Sequence, residues 1–318
     1  MSEKYYQCRN PVLLRVYARP NKTKAVIEIL RKVRPSRLYV SGDGPRNDAD
    51  FKNVSETRNL IDTIDWPCDI KTKFWDKNVG GPVAGYEGIS WFFSHELRGV
   101  ILEDDTLPSI DFFRFCDELL DKYENNDRIF HITGNNFQCG IPRSEASYYF
   151  SKYSHNWGWA SWARAWQKCD LRINFWPKYK ISPNWLALCS DKVERKYWEK
   201  IFDSLYQQKN VHWDYAWQAS CWFYEGLTAT PNRNLVSNIG FGAGASNTTN
   251  PNSPLANMPT AAIGEVRHPA AITQHAVADR YDFDHNFGGK NQRFPWSLLH
   301  LPRRIGGFVY RKLKRGFA

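Results

Sequence analysis

The run of residues 99–105, Gly-Val-Ile-Leu-Glu-Asp-Asp, constrains this chain more than any other segment. Four small or apolar residues predict a compact buried strand, and Glu103, Asp104 and Asp105 follow it at once. Because ligands of open parallel sheets bind at the carboxyl ends of the strands, the acids are expected at a binding site. Three adjacent carboxylates repel one another unless a cation or donors neutralise them, which indicates Mg²⁺ or Mn²⁺ completed by substrate phosphates and waters. The alternative is a solvated acidic turn that caps the next helix.

Strands and helices alternate along the chain, which is typical of an α/β fold with a mostly parallel central sheet flanked by helices. Thr23 is the expected N-cap of the first helix, and Pro108 the expected start of the helix after the acids. Residues 211–250 alternate strand-like runs with Gly and Asn, and no linker or repeat divides the chain. The patterns predict strands at 12–18, 37–41, 99–102 and 128–133, and helices at 23–33, 54–64, 85–95 and 193–207.

The chain carries a formal net charge of +10, which favours an anionic partner such as a nucleotide, a nucleic acid or an acidic membrane. More than half of this excess lies in residues 302–318, where six Lys or Arg occur without an acid. The rest of the chain is only mildly basic, so no nucleic-acid partner is expected, although binding through the basic tail stays as a weaker alternative. The 14 Trp indicate core packing for most of these residues and stacking on sugar rings or nucleobases for the others.

The last segment, residues 296–318, has a basic amphipathic pattern. We expect it to lie on the anionic inner leaflet of the plasma membrane, because each basic residue near such a surface contributes about 1 kcal/mol. The alternative is a terminal helix docked on the body with a solvated basic face. The N-terminus is polar and no run approaches about 18 apolar residues, so we expect a cytoplasmic protein, peripheral to the membrane at most. Its seven Cys lack the Cys-x-x-Cys spacing of zinc ribbons and redox motifs.

Two more acids follow predicted elements in a way that suggests chemistry. Asp43, between Gly42 and Gly44 at the end of a strand, can accept a hydrogen bond from a nucleobase N–H, and the glycines allow a close approach of the ligand. The alternative is an ordinary Gly-Asp-Gly turn. Asp214 lies between Trp213 and Tyr215, and apolar surroundings raise a carboxyl pKa as a general base requires. The alternative is a helix cap.

Six segments together resemble bacterial nucleotide-diphospho-sugar transferases with a GT-A fold, which are similar to the N-acetylglucosaminyltransferase I family. The resemblance extends over roughly residues 11–290, and its more specific parts are the acid triplet with its Phe-Phe helix and the run 234–242. The segments are RVYARP (15–20), YVSGDGPR (39–46), GVILEDDTLPSIDFF (99–113), WGWASWARAW (157–166), HWDYAW (212–217) and NLVSNIGFG (234–242).

This resemblance implies an inverting, Mn²⁺-dependent glycosyltransferase that uses a nucleotide-sugar donor. The donor that the resemblance favours is UDP-N-acetylglucosamine. Residues 1–295 would form one GT-A domain, with a nucleotide-sugar half at 11–150 and an acceptor half at 151–295. The acceptor would be a glycan or a lipid-linked glycan in the synthesis of a surface polysaccharide or lipopolysaccharide.

The resemblance also implies roles for individual residues. Asp105 would be the direct metal ligand, and Glu103 and Asp104 would face the sugar and the ribose. Asp43 would hold the base, most often uracil, and Asp214 would deprotonate the acceptor hydroxyl. The donor and acceptor contacts would be completed by Arg19 near the nucleotide and by Trp157, Gly158 and Trp159 in the sugar or acceptor wall.

The sequence departs from the family after NIGFG. The family usually continues with an Ala-Thr-His-Thr type of segment, whereas residues 243–249 read AGASNTT without His. If that His closes a loop over the diphosphate, closure here relies on Ser246, Asn247 or Thr248. Weaker donor catalysis or a different donor would follow.

Other functions fit the residues less well. A sugar nucleotidyltransferase would be expected to carry a Gly-rich phosphate loop with a Lys after the first strand, whereas residues 18–24 read ARPNKTK. A glycosidase needs two opposed acids rather than three adjacent ones. A non-enzymatic carbohydrate-binding protein would be expected to be all-β and secreted.

Overall fold

The computed structural model of the chain describes residues 6–209, 211–242 and 250–299. The strands are β1 (Val12–Val16), β2 (Arg37–Gly42), β3 (Asp69–Phe74), β4 (Arg98–Glu103), β5 (Thr106–Pro108), β6 (Ile129–Thr133), β7 (Tyr148–Ser151), β8 (Trp159–Trp162), β9 (Leu227–Pro231) and β10 (Val236–Asn238). The helices are α1 (Pro20–Val33), α2 (Asp48–Asn59), α3 (Gly81–His95), α4 (Ile110–Lys122), α5 (Ala163–Trp166), α6 (Trp176–Tyr179), α7 (Pro183–Leu188), α8 (Lys192–Tyr206), α9 (Trp213–Phe223), α10 (Ala276–His285) and α11 (Trp296–Leu299). Short 3₁₀ turns cover Leu60–Thr63 and Lys290–Gln292.

Eight strands form one sheet in the order β3-β2-β1-β4-β8-β6-β9-β7, and β5 and β10 form a separate antiparallel pair. Strands β3, β2, β1 and β4 are parallel, β8 is antiparallel to both of its neighbours, and β7 is antiparallel to β9. Six of the eight strands therefore share one direction. This confirms the predicted α/β class with a mostly parallel sheet flanked by helices.

The register of the parallel strands aligns three polar residues at one edge of the sheet. Arg15 of β1 pairs with Ser41 of β2 on one side and with Glu103 of β4 on the other. Parallel neighbours in register project their side chains to the same face. The carboxyl ends of β2, β1 and β4 therefore present one continuous polar row.

Aromatic side chains fill the core. Ten of the 14 tryptophans are less than 9% exposed, which confirms core packing for most of them. Val100, Ile101 and Leu102 in β4 are fully buried, as predicted for the strand before the acids. A separate aromatic cluster joins α6, α7, α8, α9 and α10 around Trp198 and Trp222. Strands β8 and β9 follow residue 150 in the chain but belong to the same sheet as the strands before it. The two halves predicted for residues 1–295 therefore share one sheet.

Three local predictions were wrong. The first helix begins at Pro20 with Arg19 as N-cap, because Pro favours the first helical position, and Thr23 lies inside it. Residues 106–108 form β5, and Ser109 caps the helix that follows instead of Pro108. Part of the segment 211–250 is the helix α9 rather than a strand. It is buried on nearly every side, so its sequence lacks the polar face that marks an amphipathic helix.

Two predicted features lie largely or wholly outside the described residues. These are the segment 243–249 and most of the basic tail, of which the described part ends at residue 299. Within the described ranges, no helix is long and apolar enough to cross a membrane.

His131, in the centre of β6, is a fully buried titratable group. Its Nε2 donates to the His155 carbonyl over 2.9 Å, and its Nδ1 accepts from Trp217 Nε1 over 3.1 Å. The ring stacks on Trp159 with centroids 4.7 Å apart. Burial lowers the pKa of His131 to about 3, so the imidazole is neutral in the folded protein.

We predict that His131 makes the fold acid-sensitive. Below about pH 6.5, His131 takes up a proton in the unfolded chain but not in the folded protein. The free energy of unfolding is therefore highest above pH 6.5 and falls by about 1.4 kcal/mol per pH unit below it. Urea unfolding of the wild type and of His131→Gln at pH 7 and pH 5 measures this. The variant should be less stable at pH 7 but lose about 2 kcal/mol less on acidification. Equal losses in both proteins would contradict the assignment.

Candidate functional site

A cleft of about 450 Å³ lies at the carboxyl ends of β1, β2 and β4. Residues from both halves of the chain line it, including Asn156, Trp213 and Asn238 from the second half. Seven residues predicted from the sequence meet in this cleft: Arg19, Asp43, Glu103, Asp104, Asp105, Trp157 and Asp214.

Two of the three residues predicted for the sugar or acceptor wall do not line the cleft. Gly158 is buried beside it with a φ of 72°, and a Cβ there would lie 2.8 Å from Val236 Cγ2. Its role is therefore to let the chain turn and pack closely. Trp159 is fully buried in the core against His131, so of these three residues only Trp157 lines the cleft.

Two arginines, one in β1 and one just after it, form ion pairs with the three acids. Arg15 Nη1 lies 2.5 Å from Glu103 Oε1, and Arg19 Nη1 lies 2.5 Å from Asp105 Oδ2 and 3.3 Å from Asp104 Oδ1. The other Asp104 oxygen accepts the backbone N–H of Tyr17 over 2.9 Å. The sequence predicts a cation or donors at this point, and the protein's own guanidinium groups supply both.

Three acids of the cleft, Glu103, Asp104 and Asp214, hold their protons more tightly than free carboxyl groups do. Burial, with help from neighbouring Asp105, raises the pKa of Asp104 to about 7 against the opposing effect of Arg19. Burial also raises the pKa of Glu103, although Arg15 opposes this. The same cause raises the pKa of Asp214. Desolvation therefore outweighs the nearby positive charges at these three carboxyl groups.

One carboxylate oxygen of Asp105, the open oxygen Oδ1, has no hydrogen-bond donor among the described residues. Oδ2 bonds Arg19, whereas no donor among the described residues reaches the buried Oδ1. Gly240 makes room for this carboxylate, because a Cβ there would lie 2.0 Å from Asp105 Oδ2. The same point is 2.9 Å from Asn238 Oδ1, so the run 234–242 packs directly on Asp105.

The open oxygen fits a divalent cation that one protein carboxylate holds together with substrate phosphates and waters. Within residues 6–209, 211–242 and 250–299, no three His, Cys, Asp or Glu side chains are grouped to hold a metal alone. An ion at this position would therefore need ligand atoms from the substrate.

Asp43 makes a complete set of hydrogen bonds within the protein. Oδ1 accepts the N–H groups of Gly44 and Val79, and Oδ2 accepts the N–H of Gly80 and the side-chain amide of Asn78, all within 2.8–3.0 Å. A carboxylate has about four acceptor positions. Base binding by Asp43 stays a prediction, but it would cost one of these bonds, whereas anchoring of the loop 78–80 is directly observed.

The glycines beside Asp43 are packed against other parts of the protein, although Gly42 also lines the cleft. A Cβ at Gly44 would lie 2.4 Å from the backbone carbonyl carbon of Lys77, and one at Gly42 would lie 3.1 Å from Phe74 and from Val16. Their small size admits the chain that leads into the loop 78–80. Packing within the fold thus gives both glycines a structural reason, and the close approach of a ligand stays a prediction.

Asp214 lies in the first turn of α9, opposite the β1 and β4 ends. One of its oxygens accepts the backbone N–H of Tyr215 over 3.0 Å. Negative charge on Asp214 contributes to the raised pKa of Glu103, so the two groups interact. Arg15 lies over the Trp213 ring at 5.0 Å, which connects the start of α9 to the row of strand ends.

The N-terminal turns of two helices open into the cleft. Gly81, Pro82 and Ala84 of α3 line it, as do Trp213 and Asp214 of α9. Helix N-termini present unbonded N–H groups and partial positive charge, which favour anions. The cleft lining nevertheless holds three arginines and five carboxyl groups, an excess of two acids.

Several residues of the cleft were not predicted from the sequence. Arg15 belongs to the segment RVYARP, and the sequence assigned it no role. Its register with Glu103 in the aligned strands β1 and β4 indicates the ion pair between them. Trp75 and Asn78 also line the cleft, but they lie on a loop whose sequence carries no recognisable pattern. The sequence around Gly85 did not indicate its packing role either. A Cβ at this position would lie 2.5 Å from Trp213 and 2.7 Å from Arg15.

Comparison with known proteins assigns no family to this chain. No family model matches it, and no curated protein sequence does. Among solved structures, 4-diphosphocytidyl-2C-methyl-D-erythritol synthase from Anaerococcus prevotii DSM 20548 is similar over 56% of this chain and 79% of that chain, with 10% identity and a TM-score of 0.33. Mouse xyloside xylosyltransferase 1 is similar over 69% of this chain and 83% of that chain, with 10% identity and a TM-score of 0.34. Values this low establish neither a family nor an activity.

We predict that Asp43→Asn loosens the loop 78–80 even without a ligand. The amide would turn a donor toward N–H groups that now donate to a carboxylate, which should cost about 2–3 kcal/mol of stability. Urea unfolding and hydrogen exchange at Val79 and Gly80 measure this, with Asp76→Asn as the control for an exposed acid of the same segment. Unchanged exchange combined with lost nucleotide binding would instead support a contact to the base.

Proposed function

We propose that this protein is a metal-dependent glycosyltransferase, in which the cleft binds a nucleoside-diphosphate sugar and Asp214 activates an acceptor hydroxyl. The observation that carries the proposal is the open oxygen of buried Asp105 in the same cleft as Asp214. Asp105 is suited to hold a cation that binds the leaving diphosphate, and Asp214 is suited to accept the proton of the attacking hydroxyl.

Charge supports a diphosphate ligand that arrives with a cation. The first turns of α3 and α9 favour an anion, and Arg19 offers a guanidinium group. The acids in the lining outnumber the arginines by two, so an unaccompanied diphosphate would be repelled. A divalent cation on Asp105 would remove that repulsion and stabilise the negative charge that develops on the leaving group.

The surroundings of Asp214 support a general base. The carboxylate lies at the start of a helix in a desolvated position, and its pKa is raised by burial. A base of raised pKa accepts a proton more readily from a hydroxyl as that hydroxyl attacks. Asp214 takes the proton, the acceptor oxygen bonds to the anomeric carbon, and the bond to the diphosphate breaks with its electron pair on the phosphate oxygen.

Finer details rest on the sequence resemblance. They include the GT-A subclass, an inverting outcome, UDP-N-acetylglucosamine as donor, and a glycan or lipid-linked glycan as acceptor. The anionic membrane surface expected for the basic tail is likewise a proposal. Phe294, just before the tail, is 80% exposed, and Trp296, the first residue of the tail, is 46% exposed, which suits such a surface.

The other functions considered gain less support. No lysine is among the described residues that line the cleft, and a sugar nucleotidyltransferase would be expected to place one on its phosphates. A carbohydrate-binding protein would use exposed aromatic rings, whereas most tryptophans here are buried. Such a protein would also have no need of a desolvated acid like Asp214.

We predict that UDP binds only with a divalent cation and that binding depends on Asp105. Calorimetry with UDP and Mn²⁺, and then with EDTA, should show at least a tenfold loss of affinity on metal removal. Asp105→Asn should lose as much in the presence of Mn²⁺, because a neutral amide is a poor ligand for a hard cation. Asp62→Asn, an exposed acid far along the chain from the triplet, is the control and should bind normally.

Two other outcomes of this titration are informative. Metal-dependent binding of GDP, CMP or dTDP in place of UDP would retain the class of enzyme and change the donor. No metal-dependent binding of any of these nucleotides would rule out the proposed function.

We predict that Asp214 sets the lower limb of the pH profile. Release of UDP from UDP-sugars, with water as acceptor, should rise with pH until Asp214 is deprotonated, at a pH above the ordinary carboxyl pKa of about 3.9. Asp214→Asn should lower this rate by about 100-fold or more and remove the limb, while UDP affinity stays within threefold. A variant with the wild-type rate and profile would exclude Asp214 as the base.

A further inference from the structure

We propose that Arg19 acts as an internal cation of the cleft, which competes with a divalent ion for Asp105 until a nucleotide diphosphate draws it away. The inference rests on the proposed function, because it concerns how that site is loaded. It makes tight binding of the ion conditional on the nucleotide.

The contacts of Arg19 are those of a bound counterion. Its Nη1 lies 2.5 Å from Asp105 Oδ2 and 3.3 Å from Asp104 Oδ1. The side chain of Arg19 is 22% exposed, and those of the two acids are at most 10% exposed. Ion pairs in such a desolvated position are screened little by water or salt. One guanidinium group therefore holds both carboxylates together.

The ion and the guanidinium group would share a single carboxylate. Arg19 occupies one oxygen of Asp105, and the open oxygen of the same group is where a cation fits. Two cations on one carboxylate repel each other strongly at this distance. A divalent ion alone would therefore have to displace Arg19 or bind weakly, which agrees with the absence of a three-ligand metal group among the described residues.

A diphosphate offers Arg19 a better position. Guanidinium groups bind phosphate oxygens with two parallel hydrogen bonds, and a diphosphate brings several negative charges. The Arg19 backbone is fixed at the start of α1, where its carbonyl accepts the Thr23 N–H over 3.0 Å, so the move is a rotation of the side chain. Once Arg19 has moved, the carboxylate of Asp105 would be available to the ion without a competing guanidinium group. Ion and nucleotide then increase each other's affinity by the same factor.

The cleft contains a matched control. Arg46 also lines it, but it pairs with Asp50, and its side chain is 63% exposed. Replacement of either arginine by glutamine removes one positive charge from the same cleft. Only Arg19→Gln frees the carboxylates of Asp104 and Asp105.

The test is calorimetric titration of nucleotide-free protein with MnCl₂. Arg19→Gln should bind Mn²⁺ at least tenfold more tightly than the wild type, and Arg46→Gln should change the affinity by less than threefold. Addition of UDP should tighten Mn²⁺ binding at least tenfold in the wild type and by a smaller factor in Arg19→Gln. Thermal unfolding checks that each variant is folded.

An unchanged or weaker Mn²⁺ affinity in Arg19→Gln would overturn the proposal, and so would an equal gain in Arg46→Gln, which would indicate a general charge effect. If Arg19→Gln does not fold, Arg19→Lys gives a second test. Lysine keeps the competing charge, so its Mn²⁺ affinity should stay within threefold of the wild type, and a tenfold gain would contradict the competition. Because the metal titration needs no nucleotide, its outcome is distinguishable from a failure of the proposed function.

Discussion

The pairing of two arginines with three buried acids is the interaction on which the rest of the cleft depends. Arg15 and Arg19 extend from the end of β1 to Glu103, Asp104 and Asp105 at the end of β4. Without these pairs, the acids would repel one another more strongly and hold their protons more tightly still. The parallel register of β1 and β4 makes the Arg15–Glu103 pair a consequence of the sheet itself.

Packing around these pairs explains why small residues surround them. Gly85 lets Arg15 and Trp213 approach α3, and Gly240 leaves room for the carboxylate of Asp105. Both sites would lose their geometry if a methyl group were added. The result is a cleft in which one acid keeps an open oxygen and another lies at a helix start with a raised pKa.

The sequence was sufficient for the α/β class and for the acids of the cleft, because period-two and helical patterns followed by charged residues mark strand ends. It was insufficient where contacts are not local. The hydrogen bonds from Val79 and Gly80 to Asp43 could not be predicted, because both residues lie on a loop without a sequence pattern. The segment around Trp217 was expected as strands, because a helix buried on nearly every side lacks polar alternation. Arg15 needed the register of β1 against β4 before its partner was evident.

The central claim is that a nucleotide diphosphate and a cation meet at Asp105 within reach of Asp214. Crystals grown with UDP and MnCl₂, with data collected at the manganese absorption edge, test it most directly. The account predicts one anomalous peak beside the carboxylate of Asp105, the phosphates of the nucleotide in the same cleft, and Arg19 turned toward the diphosphate. A nucleotide bound elsewhere, or phosphates in the cleft with Arg19 still on Asp105 and no manganese peak, would contradict it.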